Sequence, residues 1–254
     1  MAEGLDIGGD EARLLELVER AERVVAITGA GISTASGIPD FRSPGGHWDG
    51  EDPMEVATLS VFRRYPERFW EFYRDRLDFA DSYDPNPGHI FLAHLEQSGR
   101  LSAVVTQNID GLHQAAGVDP DLVYEVHGSV RELECLGCGS RYPRARLDEL
   151  SEGGLPRCSC GEILKPAAVL FEEMLPGDVV DRSLKAIADC DLLLLIGSSL
   201  VVYPVAGFPA ARPSNAKMAL INNEATSWVS DSEVWLDGDI AEHCAALSLA
   251  LGFD

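Results

Sequence analysis

Lysine is nearly missing from this chain: Lys165, Lys185 and Lys217 are the whole set among 254 residues. Basic residues of both kinds number 20 against 42 acidic ones, a formal charge of -22. Such a field repels nucleic acid, so that class of partner is disfavoured. An acid-rich, lysine-poor surface suits a high-salt interior, where counterions screen the self-repulsion. No apolar run reaches membrane-spanning length, so no membrane association is expected. Residues 1–23 carry acids in an amphipathic pattern, where a secretory leader has a basic start and an apolar stretch. No internal repeat or low-complexity tract is present either, and a cytoplasmic protein is the expectation.

The segments that are present alternate in kind. EARLLELVERAER (11–23) sets Leu14, Leu17, Val18 and Ala21 at helical spacing, and VVAIT (24–28) is a short apolar run ending at a glycine. SAVVT (102–106), DLLLLIG (191–197), KMALIN (217–222) and EVWL (233–236) are runs of the same kind, separated by enough chain for crossover helices. That pattern predicts an α/β fold with a doubly wound, Rossmann-like parallel sheet. A last helix over 239–252 aligns Ile240, Cys244, Leu247 and Leu251 on one face.

Two insertions interrupt this plan. Residues 41–89 are dense in aromatics and include the helix-like FRRYPERFWEFYRDRL. Residues 129–164 are rich in charge and glycine with little apolar content, so a metal is expected to hold them together. The main domain is then 1–40, 90–128 and 165–254, and the two insertions form a smaller one.

Four of the six cysteines sit in two tight pairs, Cys135/Cys138 and Cys158/Cys160, as C-x2-C, nineteen residues, then C-x-C. In a reducing compartment this spacing favours one structural Zn2+ held by four thiolates over disulfides. Cys190 and Cys244 lie in apolar patterns and read as buried.

After the first strand, TGAGISTASGIPDFRSPGGHW (28–48) offers Gly29 and Gly31 for a tight turn beside a phosphate. A dinucleotide fingerprint would have a third glycine where Thr34 stands, and the usual acidic ribose reader has no strand to end. On its own the run is as well read as an ordinary strand-to-helix turn. Asn108 and Asp110 likewise read as turn and cap residues when taken singly. Of the six histidines, His89, His94, His113 and His243 fall on helix-like segments that suit a hydrogen-bonded core role, His47 falls in a glycine-rich loop, and His127 lies between an apolar run and a glycine.

Six segments in order, GAGIS, SGIPDFR, TQNIDGLHQAAG (106–117), YEVHGS (124–129), GSSLVVYP (197–204) and LINNE (220–224), resemble the sirtuin family of NAD-dependent protein lysine deacylases. The resemblance covers about residues 12–250. It implies that Gly29, Ala30, Gly31, Ser33, Asp40, Phe41 and Arg42 contact the diphosphate and nicotinamide ribose of NAD. Gln107, Asn108, Ile109 and Asp110 would close the nicotinamide pocket. Gly197, Ser198 and Ser199 would carry further phosphate or ribose contacts, Asn222 and Glu224 the adenosine ribose, and Ile240 would complete the cofactor set. His127 would be the general base, with Asn108 and Asp110 ordering water and ribose hydroxyls. The implied products are free lysine, nicotinamide and 2′-O-acyl-ADP-ribose.

For the acylated-lysine protein or peptide, the resemblance implies strand pairing along 164–176, with Val169 and Phe171 near the acyl-lysine and Val201 and Val202 opposite. The family usually has glycine at Glu172, and often aspartate or asparagine at Ala167. Glu172 and Glu173 would then favour basic flanking residues. Tyr73 and Arg76, at i and i+3, resemble the branch that removes malonyl and succinyl groups, since a guanidinium fork binds an acyl carboxylate; the plain alternative makes Tyr73 core and Arg76 surface. Two other classes stay open: a hydride-transferring dehydrogenase, which leaves the cysteine pairs and His127 unused, and a non-catalytic NAD-sensing or protein-binding module.

Overall fold

Alternation along the strands decides the architecture. A computed structural model describes residues 8–40, 52–74, 77, 82–152 and 154–253. Helix α1 (Gly9–Arg20) leads into β1 (Val24–Thr28), and a 3-10 segment (Ala30–Ser36) follows. Then come α2 (Pro53–Val56), α3 (Leu59–Arg64), α4 (Pro66–Arg74), α5 (Pro87–Gln97), β2 (Leu101–Thr106), α6 (Leu112–Ala115), β3 (Val123–Glu125) and β4 (Gly128–Glu134). They are followed by β5 (Arg141–Pro143), α7 (Leu147–Leu150), β6 (Lys165–Ala168), α8 (Gly177–Asp189), β7 (Leu192–Ile196), β8 (Lys217–Ile221), β9 (Val234–Leu236) and α9 (Ile240–Ala250).

Six strands form one parallel sheet in the order β3-β2-β1-β7-β8-β9. This is the doubly wound nucleotide-binding order, and it reverses between β1 and β7. Successive side chains leave a strand on opposite faces. Val24, Ala26, Leu192 and Leu194 therefore pack with Leu14 and Val18 of α1, Phe91 and Leu92 of α5, and Cys244 and Leu247 of α9. Val25, Ile27, Leu193 and Leu195 pack on the other side with Ile187 of α8 and Phe208. Burial on both faces is why these strands read as unbroken apolar runs, and each such side chain contributes about 1.5–3 kcal/mol.

Three strands, β5-β4-β6, make a smaller antiparallel sheet. Strand β6 lies in the stretch expected to rejoin the main domain at 165, but it pairs with β4, so that boundary falls inside the smaller sheet. Gly128 permits the crossing: its φ is +72°, and a Cβ there would stand 2.1 Å from the carbonyl oxygen of Ala167.

The smaller lobe is not held by a metal alone. Phe62, Phe69, Trp70 and Leu77, supplied by the aromatic insertion, pack with Val130, Leu133, Leu164 and Leu170 around buried Cys135 and Cys158. Phe69 meets Phe62 edge-on at 5.1 Å, and the Trp70 indole donates to the carbonyl of Leu164 at 3.0 Å. The poverty of 129–164 in apolar residues is made good from a segment sixty residues upstream. Among the described residues no helix is long and apolar enough to cross a membrane.

Candidate active site

Two loops meet where the strand order reverses. The amide of Gly29 donates to Ile196 O at 3.2 Å, and that of Gly31 to Gly197 O at 2.8 Å. A Cβ on Gly31 would lie 2.8 Å from Gly197 O, and one on Gly197, whose φ is +63°, would lie 2.2 Å from the amide of Ile32. These glycines therefore let one loop lie on the other, a demand of packing that precedes any approach of a phosphate. Thr34, at the place of a third glycine, donates its hydroxyl to Gly31 O at 2.9 Å.

The C-terminal ends of β1 and β2 carry a buried polar cluster. Ser33 Oγ donates to Asp110 Oδ2 at 2.8 Å and accepts from Asn108 Nδ2 at 3.0 Å. Asp110 Oδ1 accepts from the amide of Leu112 at 3.0 Å, so it caps α6 and binds Ser33 at once. Asn108 Nδ2 also reaches Gly29 O at 3.2 Å, while its Oδ1 is buried without a partner among the described residues. An orphaned buried acceptor is costly, so a donor from a ligand or water is wanted there. Gln107 Nε2 donates to Ser198 Oγ at 2.7 Å, and the Leu200 amide donates to the same oxygen at 3.2 Å. With two bonds accepted, the Ser198 hydroxyl proton remains to be given elsewhere.

His127 follows β3 and lies half-buried, its Nδ1 2.9 Å from Gln107 O. A carbonyl only accepts, so Nδ1 carries the proton and Nε2 is the basic nitrogen of the neutral ring. Burial lowers its pKa, against the opposing effect of the Gln107 carbonyl.

His89 and His113 border this cluster, which the sequence pattern alone did not disclose. Their rings meet edge-on at 5.0 Å; His113 Nε2 is 2.9 Å from Thr28 Oγ1, and His89 Nε2 is 3.3 Å from Ser33 Oγ. Burial pushes His89 down to about 4, against the charge of Asp110, and lowers His113 well below the usual imidazole range. The available signal was Asn86-Pro87: an N-cap and a first-turn proline place His89 on the third residue of α5. His94 and His243 have the expected hydrogen-bonded roles, with Ser248 at 3.0 Å and Glu11 at 2.7 Å. His47 lies outside the described residues, as do Phe41 and Arg42.

Ala30 and Asp40 lie half-buried on the loop after β1, and Ser199 is exposed beside Ser198. Ile109 packs against the core of the smaller lobe, and its carbonyl accepts from Val130 at 3.4 Å. At the end of β8, buried Asn222 donates through Nδ2 to the carbonyl of Glu224 at 2.7 Å; Ile240 opens α9, also buried.

The 164–176 segment is more heavily engaged than strand addition expects. The amide of Val169 donates to His127 O at 2.8 Å, that of Leu170 to Glu173 Oε2 at 2.8 Å, and that of Phe171 to Ala57 O at 3.1 Å. The carbonyl of Val169 accepts no hydrogen bond among the described residues. Of Glu172 and Glu173, expected to favour basic flanking residues, Glu173 is paired internally, whereas Glu172 is exposed with a neutral partner on one oxygen. Glu172 Oε2 accepts from Ser60 N and Oγ, and Glu173 is paired at 3.0 Å with buried Lys165. Phe171, Val201 and Val202 are exposed. Tyr73 stacks on Phe69 at 4.4 Å, whereas Arg76 lies outside the described residues.

The sulfurs of Cys135, Cys138, Cys158 and Cys160 all lie within 4.8 Å of one another, two pairs at 3.5 Å. Zinc bonded tetrahedrally to four thiolates at about 2.3 Å separates its sulfurs by roughly 3.8 Å. The cluster therefore fits one structural zinc with no position left for substrate, and Gly161, at φ +95°, allows the short second knuckle.

Comparison with known proteins agrees with this geometry. The Sir2 family model matches residues 29–204. An NAD-dependent protein deacylase of Archaeoglobus fulgidus is 44% identical over 224 residues, 85% of this chain and 87% of that protein. An NAD-dependent protein deacetylase of Clostridium perfringens is 40% identical over 236 residues, 91% of this chain and 95% of that one. A solved Sir2 with a p53 peptide and NAD+ superposes with a TM-score of 0.85 at 34% identity, covering 94% of this chain and 98% of its own. Another, Sir2Tm bound to a propionylated peptide, gives 0.85 at 33% identity over 96% and 99%. With most of its length matched by the family model and by relatives well above 30% identity, this chain belongs to the Sir2 family.

Proposed function

We propose that this protein is an NAD-dependent protein lysine deacylase in which His127 is the general base. The observation that carries the assignment of the base is the 2.9 Å contact of His127 Nδ1 with Gln107 O, which leaves Nε2 as the nitrogen able to take a proton. NAD, as co-substrate, supplies a ribose carbon from which nicotinamide departs, so that the acyl group ends on ADP-ribose and the lysine is freed. Asn108 offers its unpartnered Oδ1 to a donor on this co-substrate or its water, and Asp110 holds Ser33 and the turn that carries Asn108. Ser198, with Gln107 bonded to its oxygen, has a hydroxyl proton to give to a phosphate or ribose oxygen. Gly29, Ala30, Gly31, Asp40, Phe41, Arg42, Gly197 and Ser199 complete the phosphate side; Asn222, Glu224 and Ile240 the adenosine side.

The acylated lysine enters between Val169 and Phe171 on one side and Val201 and Val202 on the other. Val169's carbonyl is a suitable acceptor for its amide N–H. Because the Val169 amide is bonded to His127 O, the base and the peptide loop are one mechanical unit.

His127→Ala is expected to lower deacylation by about 10²–10⁴-fold while calorimetry still detects NAD binding. Mass spectrometry of the wild type should find nicotinamide and O-acyl-ADP-ribose; NADH would mean a dehydrogenase, and binding without turnover a sensor. For acyl choice, Tyr73 and Arg76 are proposed to receive a malonyl or succinyl carboxylate, and Arg76→Met should depress desuccinylation far more than deacetylation. A cytoplasmic location is proposed, since a reducing compartment keeps thiolates available for zinc.

A further inference from the structure

Residues 170–173 close a four-residue turn, the amide of Glu173 donating to Leu170 O at 3.1 Å. Its third position takes left-handed backbone, φ 72°, where glycine is the ordinary occupant, yet the residue there is Glu172. A side chain in that conformation is strained and persists only where its surroundings hold it. Glu172 Oε2 accepts from the amide of Ser60 at 2.9 Å and from its hydroxyl at 2.5 Å. These bonds hold the carboxyl below the usual glutamate range.

The same junction is reinforced by backbone: the amide of Leu59 donates to Phe171 O at 3.0 Å, and that of Phe171 to Ala57 O. On the opposite edge, Glu173 is tied to the Leu170 amide and to Lys165. Phe171 itself is 43% exposed.

We propose that Glu172 is a positioning residue for the acyl-lysine peptide, its carboxylate latching the 169–173 loop to Ser60 of α3 and so setting where Val169's carbonyl and Phe171's ring stand. The latch joins the aromatic insertion to the peptide channel, so that α3 and the channel wall move together. The proposal rests on the reading that this loop lines the peptide channel.

Steady-state kinetics on single variants tests it. Glu172→Ala should raise the peptide KM roughly three- to tenfold, the effect of losing a charge-assisted hydrogen bond at a solvent-facing site. The KM for NAD and kcat at saturating peptide should stay within about twofold. Glu172→Gln keeps an acceptor oxygen and should recover most of the loss. Ser60→Ala should raise the peptide KM less, and the Glu172→Ala/Ser60→Ala double variant no more than Glu172→Ala alone. Glu172→Gly, whose backbone suits the turn, should give the same rise and guards against misfolding of the alanine variant.

An unchanged peptide KM in the alanine and glycine variants overturns the latch, as does an equal loss in kcat and both KM values. Phe171→Ala is the control for the underlying reading. If it raises the peptide KM while the Glu172 variants do not, only the latch fails. If it leaves the peptide KM unchanged, the peptide does not use this loop and both readings fall.

Discussion

The six-stranded sheet and the three-stranded sheet are held by different means. In the larger one, five consecutive residues of β1 and five of β7 are buried, and the helices on both faces add leucine, valine and phenylalanine. Among the described residues no ion pair lies in its two core layers, and Cys190 and Cys244 pack there as apolar side chains. In the smaller one, three strands are joined to a borrowed aromatic cluster, four thiols and a buried ammonium. Lys165 is 1% exposed, with Glu134 at 2.6 Å, Glu173 at 3.0 Å and two backbone carbonyls around it. The lesson is that apolar burial grows with the number of strands and with layers packed on both faces. A lobe too thin to supply it draws on metal, charge and distant side chains.

The difference is broken or sharpened most strongly by removing zinc. Chelation is expected to abolish deacylation and to erase hydrogen-exchange protection over 128–168, while 192–196 stays protected. Loss of protection in both regions together would show a single cooperative unit and end the contrast. Next in size, Lys165→Met should cost about 3–5 kcal/mol in denaturant unfolding, because Glu134 and Glu173 lose their cation. Leu194→Ala, in the large sheet, should cost about 2–5 kcal/mol through a cavity instead. A Lys165→Met variant as stable as the wild type would show that charge is not what secures the lobe.

The smallest effect lies at the strand ends of the larger sheet and depends on pH. Burial depresses His89, so the unfolded chain takes up a proton near the ordinary imidazole pKa while the native chain does not until about 4. Stability is therefore full above about 6.5 and falls as pH drops toward 4. Thermal unfolding of His89→Asn should show a shallower decline over that window. For His127, whose pKa is also lowered by burial, the acid limb of deacylation should fall below the usual histidine range. An acid limb at or above that range would contradict its buried setting.

How far the chain was legible follows from which interactions are local. The runs at 24–28, 101–106, 192–196 and 217–221 were readable because strands buried on both faces leave an apolar signature in their own residues. Helix ends were less so: α1 stops at Arg20, where Ala21 takes extended backbone, though the apolar spacing runs on. In the site, His127 and the Gln107–Asp110 run stood out through resemblance. The partnership of Thr28, Ser33, Asn108 and Asp110 with His89 and His113 spans up to 85 residues and left no spacing to read. The partners of Glu172 and Glu173 were hidden for the same reason, since nothing nearby in the chain reveals that Ser60 and Lys165 bond to them.

Amino-acid order by itself determined five of the six large-sheet strands and their kind, β3 being too short to leave a run of its own, and the four thiols able to share one ion. These depend on periodicity and on short spacings that survive in any conformation. Only the tertiary structure decided that Gly31 and Gly197 serve each other, that Gly128 turns the chain across Ala167, and that aromatics from one insertion complete the core of the other. Each of those is a contact between segments far apart in the chain, and a contact of that kind exists only once the backbone has brought them together.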